Sequence, residues 1–220
     1  LMQETGVPIR TMCLSGHRKY PLGSSDPAVE ARGIEIMEKA IRLAEDLGIR
    51  IIQLAGYDVY YEESTFETKK RFLANLKKAA DMAAKAGVTM GFETMENEFM
   101  NTVEKAMKYV TLVGSPYLNV YPDIGNITNA AKTYENDVLE DLELGKGHIV
   151  AMHLKETVPG KFREIPFGTG HVDFESAVTK AWELGVRKYV TEFWYTGNPG
   201  WKEDLTFANE MFTRILNGRG

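Results

Sequence analysis

Five predicted helices of this chain end at a glycine that comes shortly before an apolar segment. The glycines are Gly48, Gly87, Gly114, Gly145 and Gly185. Glycine is favoured just after a helix because it adopts the left-handed conformation without a clash from a Cβ atom. A helix, a glycine and an apolar strand therefore recur five times, and this repetition predicts successive βα units around a parallel sheet.

The predicted strands are short and almost continuously apolar, which is typical of parallel strands buried on both faces. They are Ile9–Ser15, Arg50–Ala55, Val88–Glu93, Tyr117–Tyr121, Ile149–Leu154 and Tyr189–Phe193. We therefore expect an α/β fold of the TIM (β/α)8 type, with about six of its eight strands in this chain. No linker or low-complexity segment interrupts the pattern, so residues 1–220 are predicted to form a single domain.

Polar residues mark the predicted helix starts. Asp26 followed by Pro27 predicts one N-cap, Ser64 with Glu67 predicts a capping box, and Asp173 predicts a third cap. Residues 1–7 resemble the tail of a helix, its terminal glycine and a strand. We therefore expect the chain to begin inside a helix and to lack the first two βα units, about 60 residues.

The composition excludes several classes of protein. A net charge of −5 and a pI near 5.5 argue against a nucleic-acid surface, which needs a basic stripe. No apolar stretch approaches the ~18 residues of a membrane span, and no signal peptide is recognisable. The single cysteine, Cys13, permits no internal disulfide and fits a reducing compartment; its apolar neighbours predict core packing. We expect a cytoplasmic protein without membrane or nucleic-acid partners.

Four of the predicted strands end at, or just before, a residue that can bind a metal ion. The residues are Glu93, Asp123, His153 and Glu192, at spacings of 30, 30 and 39. Singly, each has another explanation: a salt-bridged carboxylate for Glu93 or Glu192, a turn for Asp123, a core histidine for His153. Together they predict a divalent-metal site, because the carboxyl ends of parallel strands meet at one edge of a sheet.

Seven segments of the chain together match a known family; they are 13–18, 53–58, 91–95, 121–126, 153–156, 166–170 and 191–194. They resemble the metal-dependent sugar-phosphate 3-epimerases of the xylose-isomerase-like barrel superfamily. Within it they are most similar to the L-ribulose-5-phosphate (L-xylulose-5-phosphate) 3-epimerases of L-ascorbate breakdown. The resemblance implies that Glu93, Asp123, His153 and Glu192 bind the metal and that Glu93 and Glu192 also act as the catalytic acid/base pair. It implies a divalent cofactor of the Mn²⁺, Mg²⁺, Co²⁺ or Zn²⁺ type.

The chemistry of epimerisation supports this assignment independently. Inverting a carbon next to a ketone requires removal of its proton on one face and delivery on the other, so two bases are needed. The enediolate formed between these steps carries negative charge, which a metal stabilises as a Lewis acid.

Two departures from related free-ketose epimerases favour a phosphorylated substrate. Asn126 stands where those relatives have a histidine, and Pro159 stands where they have an arginine. A sugar phosphate needs cations or backbone N–H groups, and barrels often supply these from their last loops. The predicted substrate-binding residues are His17, Tyr57, Asn126, Lys155, Arg163, Gly168 and Gly170. The cations among them can also be ordinary solvated side chains, and the aromatic loop residues can pack for purely structural reasons.

Three alternatives remain open. An aldose–ketose isomerase fits the same scaffold, and an endonuclease of the same superfamily would need more histidines than the four present. The third alternative is an inert fragment, because missing strands would leave Ile9–Ser15 and Tyr189–Phe193 as open sheet edges. We therefore expect a homodimer, or a chain that is not stable alone.

Overall fold

The computed structural model describes residues 1–218, which contain six strands, eight α-helices and a 3-10 turn at Ser15–Arg18. The strands are β1 (Thr11–Cys13), β2 (Ile51–Ala55), β3 (Thr89–Glu93), β4 (Leu118–Tyr121), β5 (Met152–Leu154) and β6 (Tyr189–Thr191). The helices are α1 (Met2–Thr5), α2 (Pro27–Leu47), α3 (Phe66–Ala86), α4 (Val103–Val113), α5 (Ile124–Tyr134), α6 (Val138–Leu144), α7 (Phe174–Glu183) and α8 (Trp201–Asn217). All six predicted strands are present, each with shorter bounds than predicted.

The chain divides into two compact units. The first comprises Leu1–Glu93 and Lys105–Val120, and the second comprises Thr94–Glu104 and the chain from Tyr121 onward. The prediction of a single domain stays a prediction.

In the first unit, helices α2 and α3 pack on each other and cover β2 and β3. The strand order is β1-β2-β3-β4, and the β1–β2 and β2–β3 pairs are parallel. Met37, Ile52, Leu76 and Met90 are completely buried. Such buried apolar side chains contribute about 1.5–3 kcal/mol each to folding.

The second unit contains the parallel pair β5–β6, in which Met152 lies opposite Tyr189. A further parallel bridge joins Asp123 to His153. Phe167, Phe174 and Phe212 form an aromatic cluster with ring centroids 5.1–5.6 Å apart. This cluster and the packing of α5 on β5 hold the loops around the ends of the two strands.

Most of the predicted helix signals are confirmed. Asp26 accepts a hydrogen bond from the Ala28 amide at the start of α2, and Asp173 caps α7. Gly48 and Gly87 end α2 and α3 in the left-handed conformation. No helix within residues 1–218 combines the length and apolarity that crossing a bilayer requires.

Three local predictions were wrong. The capping box of α3 is formed by Thr65 and Thr68, one residue beyond the predicted pair, because the Ser64 hydroxyl donates to buried Asp58 instead. Gly145 follows α6 at φ −88°, so it is not left-handed. Cys13 is exposed rather than buried, since β1 is the edge strand of its sheet.

Candidate metal centre

Asp123 occupies the turn between β4 and α5 and uses its two carboxylate oxygens differently. Oδ1 caps α5 by accepting the Asn126 amide at 2.8 Å. Oδ2 lies 2.8 Å from the Lys155 ammonium and 3.9 Å from Nδ1 of His153. The side chain is completely buried. The helix N-terminus and the ammonium both favour its ionised form.

His153 lies in the middle of β5 and is fixed by its backbone and by its ring. Its amide donates to the carbonyl of Pro122 at 2.9 Å, and its ring packs edge-on against Tyr121. Nδ1 lies 2.9 Å from Oε2 of Glu192. The imidazole therefore stands between the carboxylates of Asp123 and Glu192.

Glu192 follows β6, and its amide donates to the carbonyl of Leu154 at 2.9 Å. Burial alone would raise the pKa of this carboxyl, but the hydrogen bond and charge of His153 and the charge of Lys155 outweigh burial and lower the pKa to about 2. Glu192 is consequently a carboxylate at neutral pH.

Asp123, His153 and Glu192 present ligand atoms that lie within 4.8 Å of one another. Two carboxylate oxygens and one imidazole nitrogen are a donor set suited to hard or borderline divalent ions. The residues of the second unit therefore fit the metal group predicted from the sequence.

Glu93, the remaining predicted ligand, is the last residue of β3 in the first unit. It is buried, and the side-chain amide of Gln53 on the neighbouring strand donates to its Oε2. The next residue, Thr94, belongs to the second unit. Its hydroxyl accepts a hydrogen bond from the Asp123 amide at 3.0 Å, and its carbonyl accepts the Asn126 side-chain amide at 2.8 Å.

Asn126 and Lys155 are the predicted substrate-binding residues that lie directly beside the centre. Both are buried, and the Lys155 ammonium donates to Oδ1 of Asn126 at 2.8 Å. Lys155 is therefore not a solvated surface cation. Arg163 pairs with Glu96 at 2.7 Å, and its guanidinium lies 5.7 Å from the centroid of the Trp194 ring.

The Gly168–Gly170 turn packs against Glu156 and Thr157 in the loop that follows β5. The Gly168 amide donates to Oε2 of Glu156 at 3.0 Å, and a Cβ at Gly170 would collide with the Thr157 carbonyl and with Glu156. Glycine is required at Gly170 for this close approach. Contact between the turn and a phosphate stays a prediction.

His17 and Tyr57 are buried in the first unit. A ring nitrogen of His17, Nε2, lies 3.0 Å from the carbonyl of Gly33 on α2. Burial lowers the pKa of His17 to about 4, against the opposing effect of that hydrogen bond. Burial likewise raises the pKa of Tyr57 to about 12, partly offset by Arg18. Their contact with substrate stays a prediction.

Sequence reasoning missed the structural role of Glu156. Its carboxylate is buried and accepts the amides of Thr157, Gly168 and Val172, so it shapes the loop that follows β5. The alternation of side chains along a strand was an available signal. It places Lys155 on the side of His153 and Glu156 on the other.

Comparison with known proteins identifies the family. The sequence model described as "Xylose isomerase-like TIM barrel" matches residues 1–211. The chain belongs to this family. The predicted α/β barrel class is thereby confirmed.

The sequence of a known relative agrees with this family assignment. The chain is 50% identical over 192 residues to the L-ribulose-5-phosphate 3-epimerase UlaE of Salmonella paratyphi C, which confirms the resemblance found in the sequence. The match covers 87% of this chain and 66% of that relative, so the chain spans slightly less than two thirds of its length.

Two solved structures of low sequence identity share the fold. A D-tagatose 3-epimerase-like protein superposes with a TM-score of 0.81 at 18% identity, covering 98% of this chain and 79% of the other. A xylose isomerase-like TIM barrel protein from Mycobacterium smegmatis in complex with magnesium gives 0.76 at 13% identity, covering 99% and 76%.

Proposed function

We propose that this chain belongs to a metal-dependent 3-epimerase of pentulose 5-phosphates that interconverts L-xylulose 5-phosphate and L-ribulose 5-phosphate. One observation carries the proposal. The Asp123–His153–Glu192 centre lies in a chain that is 50% identical to a protein named L-ribulose-5-phosphate 3-epimerase. Identity at this level, together with a site whose donor atoms suit a divalent ion, supports the same reaction class.

Glu93 is proposed as the fourth metal ligand. It is buried at the carboxyl end of β3 and directly precedes Thr94, whose hydroxyl is hydrogen-bonded to the backbone of Asp123. With it, the donor set becomes three carboxylates and one imidazole, which suits Mn²⁺, Mg²⁺, Co²⁺ or Zn²⁺. The magnesium in the Mycobacterium smegmatis relative agrees with an ion of this kind.

Glu93 and Glu192 are proposed as the acid/base pair. Inversion at C3 requires one carboxylate to remove the proton from one face and the other to deliver a proton to the opposite face. Gln53 holds the Glu93 carboxylate and His153 holds that of Glu192, so each base has its own orienting partner. A bound divalent ion would supply Lewis-acid stabilisation of the negative charge that develops on the oxygens at C2 and C3.

The substrate contacts are proposed to come from the residues predicted in the sequence. Lys155 and Asn126 lie at the centre. Arg163, which lies beside Trp194, is proposed as a phosphate contact, because a guanidinium binds phosphate oxygens well. Cytoplasmic location and a homodimer are also part of the proposal. The single cysteine supports a reducing compartment.

The test is proton exchange at C3 of L-xylulose 5-phosphate in D2O, followed by NMR with added Mn²⁺ or Mg²⁺ and with EDTA. It is run on this chain and on the longest natural polypeptide that contains it. Metal-dependent deuterium uptake and appearance of L-ribulose 5-phosphate are expected. Glu192→Gln should abolish uptake, whereas Glu183→Gln, at an exposed position, should not.

Two other results would overturn the proposal. Formation of an aldose phosphate would replace the epimerase with an isomerase on the same scaffold. Absence of proton exchange in both polypeptides with every metal would refute the epimerase proposal. A separate measurement of metal binding would still show whether the centre binds a divalent ion.

A further inference from the structure

Lys155 is a buried cation placed against a predicted metal ligand. Its side chain is about 5% exposed, and its ammonium lies 2.8 Å from both Oδ2 of Asp123 and Oδ1 of Asn126. The Trp194 ring centroid is 5.9 Å away. A lysine is almost never this buried unless it is paired, so the neighbouring oxygens of Asp123 and Asn126 are needed to stabilise its charge.

The oxygen that Lys155 contacts is the one that a metal would use. Oδ1 of Asp123 is committed to the N-terminus of α5 through the Asn126 amide. Oδ2 points toward His153, and Lys155 is its neighbour at hydrogen-bond distance. A divalent ion bound by Asp123 and His153 would therefore meet the ammonium at a single carboxylate oxygen.

We infer that Lys155 is a positioning residue that acts as an internal counter-ion, holding Asp123 in place without a metal and competing with the divalent ion for Oδ2. The inference rests on the metal centre of the proposed function but not on the epimerase reaction. When the ion binds, the flexible lysine stem lets the ammonium turn toward Asn126 and Trp194, which remain as partners. The lysine thus lowers metal affinity and keeps the acidic cluster folded between binding events.

The test compares Lys155→Met with Lys161→Met, which removes an exposed ammonium from the following loop. Mn²⁺ affinity of the metal-free proteins is measured by calorimetry, and melting temperatures are measured in EDTA and in saturating Mn²⁺. Removing a positive charge next to a dication should tighten Mn²⁺ binding about ten- to hundredfold. The melting temperature of Lys155→Met should fall more in EDTA than in Mn²⁺, whereas Lys161→Met should behave as wild type.

Unchanged or weaker Mn²⁺ binding by Lys155→Met would overturn the inference, since a lysine that only orients Asp123 for the metal loses affinity when removed. An equal fall in melting temperature with and without Mn²⁺ would also overturn it.

Should Lys155→Met fail to fold, the wild-type protein provides a second measurement. The ¹⁵Nζ resonance of Lys155, assigned by its loss in Lys155→Arg, should shift on titration with diamagnetic Zn²⁺. A resonance that stays in place at Zn²⁺ saturation would refute the competition. If the wild-type protein binds neither ion, the metal centre of the proposed function fails, and the inference fails with it.

Discussion

Replacing Asp123 by asparagine should strongly destabilise the metal-free protein, although it preserves the cap of α5. Asparagine caps helices as well as aspartate does, so the hydrogen bond to Oδ1 survives. The substitution leaves the Lys155 ammonium buried without its 2.8 Å carboxylate partner. Breaking a buried ion pair in this way costs 3–5 kcal/mol. The Glu192 carboxylate remains nearby, so we expect about 3 kcal/mol, the lower end of this range.

The assay is thermal and urea unfolding in EDTA, monitored by circular dichroism. For a chain of this length, about 3 kcal/mol corresponds to a decrease in Tm of roughly 6–12 °C. Asp137→Asn is the matched control. Asp137 caps α6 in the same way but is exposed and has no buried ammonium beside it, so its loss should be below about 1 kcal/mol.

A double variant provides the refutation. If the cost arises from the unpaired ammonium, Asp123→Asn combined with Lys155→Met should recover at least about half of it, because the buried charge is then removed. Asp123→Asn with wild-type stability would show that the ion pair is unimportant. A double variant no more stable than Asp123→Asn would show that the loss has another origin.

Three further outcomes are expected. The pKa of His17 is about 4 in the folded protein against 6.5 in the unfolded chain, so only the unfolded state takes up the proton between these values. Stability is therefore intact above pH 6.5 and falls by up to about 3 kcal/mol as the pH decreases to 4. His17→Gln should flatten this dependence in urea unfolding, and an unchanged slope would contradict the assignment. In Gly125→Ala, the new Cβ would lie 2.6 Å from the Lys155 carbonyl. Overpacking should outweigh the helix-propensity gain and cost about 1–2 kcal/mol. Gly16→Ala, which meets only ordinary contacts, should be nearly neutral by the same measurement, and equal effects would refute the steric argument. Glu192→Gln should weaken Mn²⁺ binding at least about tenfold by calorimetry while the protein stays folded, and wild-type affinity would remove Glu192 from the ligand set.

The parts of the fold that could be predicted are those set by local chemistry. Gly48 and Gly87 end helices in the left-handed conformation because no other residue does so as cheaply, and this preference is visible in the sequence. The start of α3 was misplaced by one residue because serine and threonine are both good caps. Asp58, six residues before Ser64, accepts the Ser64 hydroxyl because of the conformation of the intervening loop, which leaves Thr65 as the cap.

The candidate site could be predicted where the position of a residue depends on strand geometry. Each of the three predicted ligands lies in or shortly after a strand: Asp123 after β4, His153 within β5 and Glu192 after β6. Because parallel strands present functional groups at their carboxyl ends, this rule is sufficient to group the three residues. The pairing of Lys155 with Asp123 could not be predicted in the same way. It depends on α5 starting immediately after Asp123. One carboxylate oxygen of Asp123 therefore accepts the Asn126 amide, and the other faces the Lys155 ammonium.

Lys155 and Glu156 show why neighbouring residues of one motif must be considered separately. They carry opposite charges and are adjacent in the chain, yet the ammonium contacts Asp123 and Asn126, whereas the carboxylate accepts backbone amides of Gly168 and Val172. The alternation that begins in β5 sends the two side chains to opposite sides, so neither can neutralise the other. Each buried charge therefore needs its own set of partners, and exchanging the two residues would leave both without partners even though the net charge is unchanged.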